Sequence, residues 1–243
     1  MAINYNPRII TDGLVLCLDA ANPKSYGGSG TTWTDLSGRG NTGTLVNGVG
    51  YVGTNGGALS FDGVNDYSSI SHTSTLNPGT GSFTFGGFFK TNVDAPSNNF
   101  PTHLSKSQGD WSNGYLIRAI YPYTGSYIIG VSQGGNDGVD RRVITSTLTA
   151  SLGVWVNIVG VWNASSKTLT LYFNGVADGT GTTTNSLTIN PTANLEFGRY
   201  NRITQSRFEY LNGNISQVSI YNRALSASEV KQNYNATKSR YGL

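Results

Sequence analysis

The chain has 243 residues, of which 12% are charged and 11% aromatic, with 32 glycines and a net charge of +3. A helical protein would carry far more Glu, Lys, Ala and Leu, and a disordered one would lack the aromatic and β-branched residues that build a core. The basic residues are scattered, with Arg141-Arg142 the adjacent pair, so the clustered basic face of a nucleic-acid binder is missing.

The length fits one all-β domain, which can bury about 70% of its unfolded surface without covalent staples. Cys17 is the single cysteine and sits in the apolar run Leu14-Val15-Leu16-Cys17-Leu18, so it reads as a buried free thiol. The opening MAINYNPRII has no basic region followed by an apolar stretch, and no apolar run approaches the roughly 20 residues of a membrane span. The expectation is synthesis in a reducing cytoplasm without a signal peptide, and no membrane insertion.

Residues 1–12 read as an arm or an edge strand, and residues 13–243 as one domain. Leu14 to Leu18 is a continuous apolar run, as in a strand covered on both faces. Strands follow at Ala58 to Phe61 and Tyr67 to Ile70, and Phe83 to Lys90 carries Gly86-Gly87, which predicts a bulge or a close backbone approach. Asn98 to Gly114 is the least regular stretch, and His103 within it reads as a surface or half-buried ring. Tyr115 to Ile120 and Tyr127 to Val131 form a further pair. Trp155 to Trp162 and Leu169 to Phe173 follow, with both tryptophans expected in the core; Asn174-Gly175 then supplies the positive-φ pair of a type I′ turn. One helix is predicted from about Ala227 to Ala236, started by the capping box Ser226-Ala227-Ser228-Glu229 and the staple pair Leu225 and Val230.

Three blocks in order carry a family resemblance. They are Gly13 to Ala20 with Trp33 to Leu45, then Gly57 to Tyr67, then Leu211 to Ile215 with Ile220 to Ser226. Together they resemble the laminin-G-like branch of the concanavalin A-like lectin/glucanase superfamily, in a form similar to domains of bacteriophage structural proteins. The resemblance implies an all-β jelly-roll sandwich of two antiparallel sheets with a short C-terminal helix, often with a structural calcium ion. It also implies a concave sheet face or rim loops that bind glycans or proteins. Asp35, Asn41 and Asp62 match the family's calcium-associated segments; the alternative is that the carboxylates close Asx-turns. The chain departs from the family at Ser216, where relatives often carry an acidic residue.

Catalytic templates find little to match. A glycosidase needs two carboxylates across the scissile bond, and the chain has three glutamates, Glu196, Glu209 and Glu229. Glu229 is taken by the helix cap, and alternation turns Glu196 away from Leu195 and Phe197. His72 and His103 sit in no nucleophile or metal motif. A ligand rim is expected where Asp110, Trp111 and Asn113 meet Tyr121 and Tyr123, since sugars are held by aromatic faces beside amides and carboxylates. The expected role is a non-catalytic virion surface protein, a head decoration or tail or fibre component, whose partners are other virion proteins, copies of itself and host glycans. The alternatives are a free-standing glycan-binding adhesion module and, behind it, a glycoside hydrolase.

Overall fold

The computed structural model describes residues 8–94, 100–108, 112–133, 140–202 and 207–243. Among these, the chain forms eighteen strands. The first nine are β1 (Leu14–Asp19), β2 (Thr32–Trp33), β3 (Gly43–Val46), β4 (Gly50–Val52), β5 (Ala58–Asp62), β6 (Tyr67–Ile70), β7 (Phe83–Thr91), β8 (Thr102–Gln108) and β9 (Asn113–Ala119). The remainder are β10 (Tyr127–Ser132), β11 (Arg141–Thr145), β12 (Trp155–Asn163), β13 (Thr168–Phe173), β14 (Val176–Thr182), β15 (Leu195–Phe197), β16 (Arg199–Arg202), β17 (Arg207–Tyr210) and β18 (Asn212–Tyr221). One helix, α1 (Ala227–Thr237), follows them and runs into a 3-10 turn at Lys238–Tyr241.

Two antiparallel sheets pack face to face. The first has the order β14-β13-β12-β7-β18-β5-β4, with β1 also on β18; the second runs β11-β10-β9-β8-β15-β6-β3-β2. Between them lies the main core, filled by alternate inward residues such as Leu16, Phe85, Phe89, Ile117, Ile129, Trp162 and Phe197. This is the expected jelly-roll sandwich. Among the described residues no helix is long and apolar enough to cross a membrane.

Local chemistry explains several joints. Asn174 and Gly175 have φ of 50° and 73°, and Phe173 pairs with Val176 across them, so the two residues make the expected I′ turn. Asn174 Oδ1 also accepts the backbone N–H of Asn157, fixing the turn against β12. Gly86 and Gly87 sit in β7 between β12 and β18. A Cβ on Gly86 would lie 2.4 Å from the Ile158 carbonyl oxygen, and one on Gly87 2.1 Å from that of Gln217. Close backbone approach therefore requires both glycines, and β18 bulges just beyond them, between Ile215 and Gln217 opposite Phe89 and Phe88.

Helix α1 starts where the capping box places it. Ser226 Oγ accepts the Glu229 N–H, and Glu229 accepts the Ser226 N–H at 2.8 Å. Arg223 and the Ser226 N–H hold the Glu229 carboxyl down at about 2, against an ordinary 4.5. A carboxylate depressed in the folded state stabilises the fold above its unfolded value and loses that contribution as pH falls through the folded value. Acid titration of stability is therefore expected to show a helix-cap component between pH 4.5 and 2 that Glu229→Gln removes.

The helix and the 3-10 turn cover the outer face of the first sheet. Phe88 stacks on Tyr241 at 4.2 Å, and Trp155 meets Tyr241 at 5.0 Å. Trp155 is thus buried in this outer cluster and not in the main core that holds Trp162. The two tryptophans are seven positions apart on one strand, an odd spacing that puts them on opposite faces. Residues 8–12 join no strand. Arg8 and Ile10 instead bond along α1, where Gln232 Nε2 donates to the Arg8 carbonyl and the Ile10 N–H donates to Asn233 Oδ1. Cys17 is buried as expected, and burial, with Asp19 and Asp35 nearby, pushes its thiol up to about 12.

Candidate glycan-binding face

α1 roofs the first sheet, and the β16-β17 hairpin covers part of the outer face of the second, which stays open toward β2, β3, β6 and β15. Inward residues Trp33, Leu45, Ile70, Leu195 and Leu104 belong to the core, so their neighbours point outward. Strand register lines those neighbours up as Thr32, Thr44, Ser69, Glu196 and Ser105 on five successive strands. Thr32 and Thr44 are exposed, Ser69 and Glu196 half-buried. Asn194 Nδ2 donates to Ser69 Oγ at 3.1 Å. The result is a row of hydroxyls, an amide and a carboxylate across half the sheet.

Aromatic groups border this row. Glu196 accepts from Arg199 Nε at 2.9 Å and from Nη2 at 2.5 Å. The Arg199 guanidinium lies 3.3 Å from the Tyr67 ring centre and 4.7 Å from that of Phe208. Phe208 is 40% exposed and packs beside Tyr210. The β16-β17 hairpin brings Phe208 there, folding over the outer face so that Ser105 Oγ donates to the Arg199 carbonyl. On the buried side of the hairpin Glu209 meets Arg118, whose guanidinium lies 4.0 Å from the Phe100 ring centre.

Of the residues expected to form a loop rim, Asn113 lies apart from Tyr121 and Tyr123. Asp110 and Trp111 lie outside the described residues. Asn113 begins β9, where its Oδ1 accepts the Asn190 N–H, while Tyr121 and Tyr123 follow the other end of that strand. A seven-residue strand is roughly 20 Å long, so Asn113 does not reach the tyrosines. Tyr123 is tied down: its hydroxyl donates to the Ala150 carbonyl at 2.8 Å and its N–H to Asp94. Tyr121 packs edge-on against Phe100. His103 is fully buried between Phe89 and Tyr127, and burial pulls its imidazole down to about 3.

Two of the calcium candidates, Asp35 and Asn41, are engaged within the protein. Asp35 Oδ1 accepts the N–H groups of Cys17 and Ser37, and Oδ2 accepts the Asn41 N–H and the Ser37 hydroxyl. Asn41 Oδ1 accepts both Thr73 and Thr75 hydroxyls. Asp62 is exposed, and its Oδ1 caps the turn Val64-Asn65-Asp66; what desolvation it has opposes ionisation, but these three N–H groups outweigh that and hold the carboxyl below its ordinary range. Ser216 is buried, donating to the Gly57 carbonyl and accepting from the Tyr241 hydroxyl. A calcium ion needs about six to eight oxygens, and Asp35 and Asn41 as placed have none to offer. Among the described residues no group of three or more His, Cys, Asp or Glu side chains could hold a metal. Chelator is therefore expected to leave the melting midpoint of the purified protein unchanged within about 1 °C, checked by scans with and without EDTA.

The family model Laminin_G_3, described as the Concanavalin A-like lectin/glucanases superfamily, matches residues 24–231. The chain belongs to this family. All strands of the concanavalin A-like sandwich from β2 to β18, and the polar row upon it, fall inside the match. No curated protein matches the chain. Similar solved structures include the binding domain of Paraclostridial Mosquitocidal Protein 1, with TM-score 0.70 and 18% identity over 93% of this chain and 52% of that one. The botulinum neurotoxin type G receptor binding domain gives 0.65 and 16%, over 92% of this chain and 51% of that one. A third, the binding domain of botulinum neurotoxin DC in complex with SialylT, gives 0.68 and 13%, over 93% and 52%. This chain spans about half the length of each. At these identities the likeness is one of fold.

Proposed function

We propose that this concanavalin A-like domain is a non-catalytic, lectin-like module that binds glycans on the outer face of its second sheet. The observation that carries the reading is the row Thr32, Thr44, Ser69 and Glu196 lying open beside Phe208 and the Tyr67–Arg199 stack. Hydroxyls and a carboxylate bond sugar hydroxyls, while an exposed ring takes the C–H face of a pyranose. The strand register holds these groups before a ligand arrives, which limits the ordering cost of binding. Similar structures bear on the same chemistry: one holds SialylT, and another is of botulinum neurotoxin type C, whose cell entry depends on interaction with two ganglioside molecules.

Each glutamate is met by an arginine: Glu196 by Arg199, Glu209 by Arg118 and Glu229 by Arg223. A glycosidase needs two carboxylates facing the scissile bond, and each of these glutamates is already engaged by a guanidinium. That supports a binder over a hydrolase.

The finer reading places the module on a virion surface, made in the host cytoplasm and assembled with another virion protein or a second copy. Motif resemblance supports it, as does one end of the sandwich where Val93, Leu148, Leu152 and Val154 are exposed between 41% and 52%. A glycan array probed with the intact protein tests the binding reading: selective hits are expected, and silence across neutral and sialylated glycans overturns it. Mass spectrometry of purified particles tests the virion reading separately, by presence or absence of the chain.

A further inference from the structure

The roof over the first sheet is not tightly fitted. In the row Val159–Gly86–Ser219, which crosses β12, β7 and β18, the central residue has no side chain. Above it α1 leaves a cleft with about 40 Å³ of enclosed space that opens to solvent. Phe88, Tyr221, Leu225 and Val230 supply apolar walls. Among the described residues no charged side chain lines the cleft, so an ion entering it would lose its water without a partner there.

One group in the wall is incomplete. Asn157 is 5% exposed, and its Nδ2 donates to the Gly87 carbonyl at 3.0 Å. Its Oδ1 is buried and has no donor. Buried acceptors are nearly always paired, so an orphan lining a cleft marks where a donor is missing.

We propose that this cleft is a second binding site, on the sheet opposite the glycan face, for a small uncharged molecule with an apolar body and one O–H or N–H group. The apolar part packs over Gly86 against Val159 and Val230, and the donor completes Asn157 Oδ1. A site lined mainly by apolar side chains, with one placed polar group, selects ligands by that hydrogen bond.

Benzyl alcohol and toluene are matched probes, alike in the ring and different in the donor. Each is titrated into the intact, isotopically labelled protein while the backbone amide signals of Gly86, Gly87, Asn157 and Val230 are followed. Saturable shifts at these amides are expected, with benzyl alcohol at least 10-fold tighter than toluene. Asn157→Leu should erase the difference between the probes, and Ser219→Leu, which fills the space beside Gly86, should abolish both responses. Equal affinities in the native protein, or no saturable shift at these amides because water alone fills the cleft, overturn the proposal. The native comparison decides even where a variant fails to fold. Glycan binding on the other sheet is unaffected by either result.

Discussion

Asp35→Ala is expected to lower stability by about 4 kcal/mol, which for a domain of this size is a fall of roughly 10 °C in the melting midpoint. The residue is buried, and its two oxygens accept four hydrogen bonds, three from backbone N–H groups and one from the Ser37 hydroxyl. Removing the carboxylate leaves the donors of Cys17 and Asn41 buried without acceptors, and bonds to a charged acceptor are the stronger kind. The damage spreads because Asp35 ties the loop before β3 to the middle of β1, while Asn41 donates to the Val15 carbonyl alongside. Asp62→Ala is the comparison. That carboxylate also accepts three backbone N–H groups, but it is exposed, so water replaces them and the loss should be about 1 kcal/mol. Denaturant titration of the two variants measures both. Equal, small losses would contradict the view that Asp35 is a structural hub.

Gly87→Ala should cost at least about 3 kcal/mol or leave the protein insoluble, for a different reason. The added methyl meets the Gln217 carbonyl oxygen at 2.1 Å, and that oxygen belongs to the backbone of a central strand. No rotamer relieves the contact. Either β7 separates from β18, breaking the ladder that joins the two halves of the first sheet, or the bulge at Ser216 must move. Gly27→Ala provides the contrast, since a Cβ there has nothing within 4 Å and its φ lies outside the left-handed region. It should be neutral or slightly stabilising, by about 0.5 kcal/mol, through the unfolded chain. Midpoints for the two variants separate steric need from glycine content.

Local chemistry was the legible part of this fold. Asn174-Gly175 and the Ser226–Glu229 box act through neighbours two or three residues away, so their geometry is written in adjacent letters. The outward turn of Glu196 was equally visible, because Leu195 and Phe197 flank it. Strand β8 was hidden for the converse reason. Thr102–Gln108 offers one aliphatic residue, Leu104, and its next inward position is Lys106. That lysine is buried with its Nζ donating to the Ala193 carbonyl at 2.7 Å, and burial pulls the amine down to about 8. His103 misled similarly, since a polar ring gives no sign that Phe89 and Tyr127 enclose it.

The face proposed to bind glycans could not be read along the chain. Its hydroxyls come from β2, β3 and β6, strands of two to four residues, and its carboxylate from β15, more than a hundred residues later. Only pairing in register places Thr32, Thr44, Ser69 and Glu196 in one line. Phe208 joins them through a hairpin whose strands carry arginines and tyrosines with no strict alternation. The aromatic-rich segments that drew attention, around Trp111 and Tyr121 to Tyr127, are legible as composition, whereas a sheet face is legible only as topology.

Isothermal titration of the best array glycan against the native protein and Phe208→Ala tests this account most directly. Phe208 is exposed, so its loss leaves the fold intact, and stability measured on the same samples checks that. Binding through the second sheet predicts a loss of at least about 10-fold in affinity, close to 1.4 kcal/mol. Unchanged affinity in a folded Phe208→Ala protein would place the glycan elsewhere and contradict the assignment of this face.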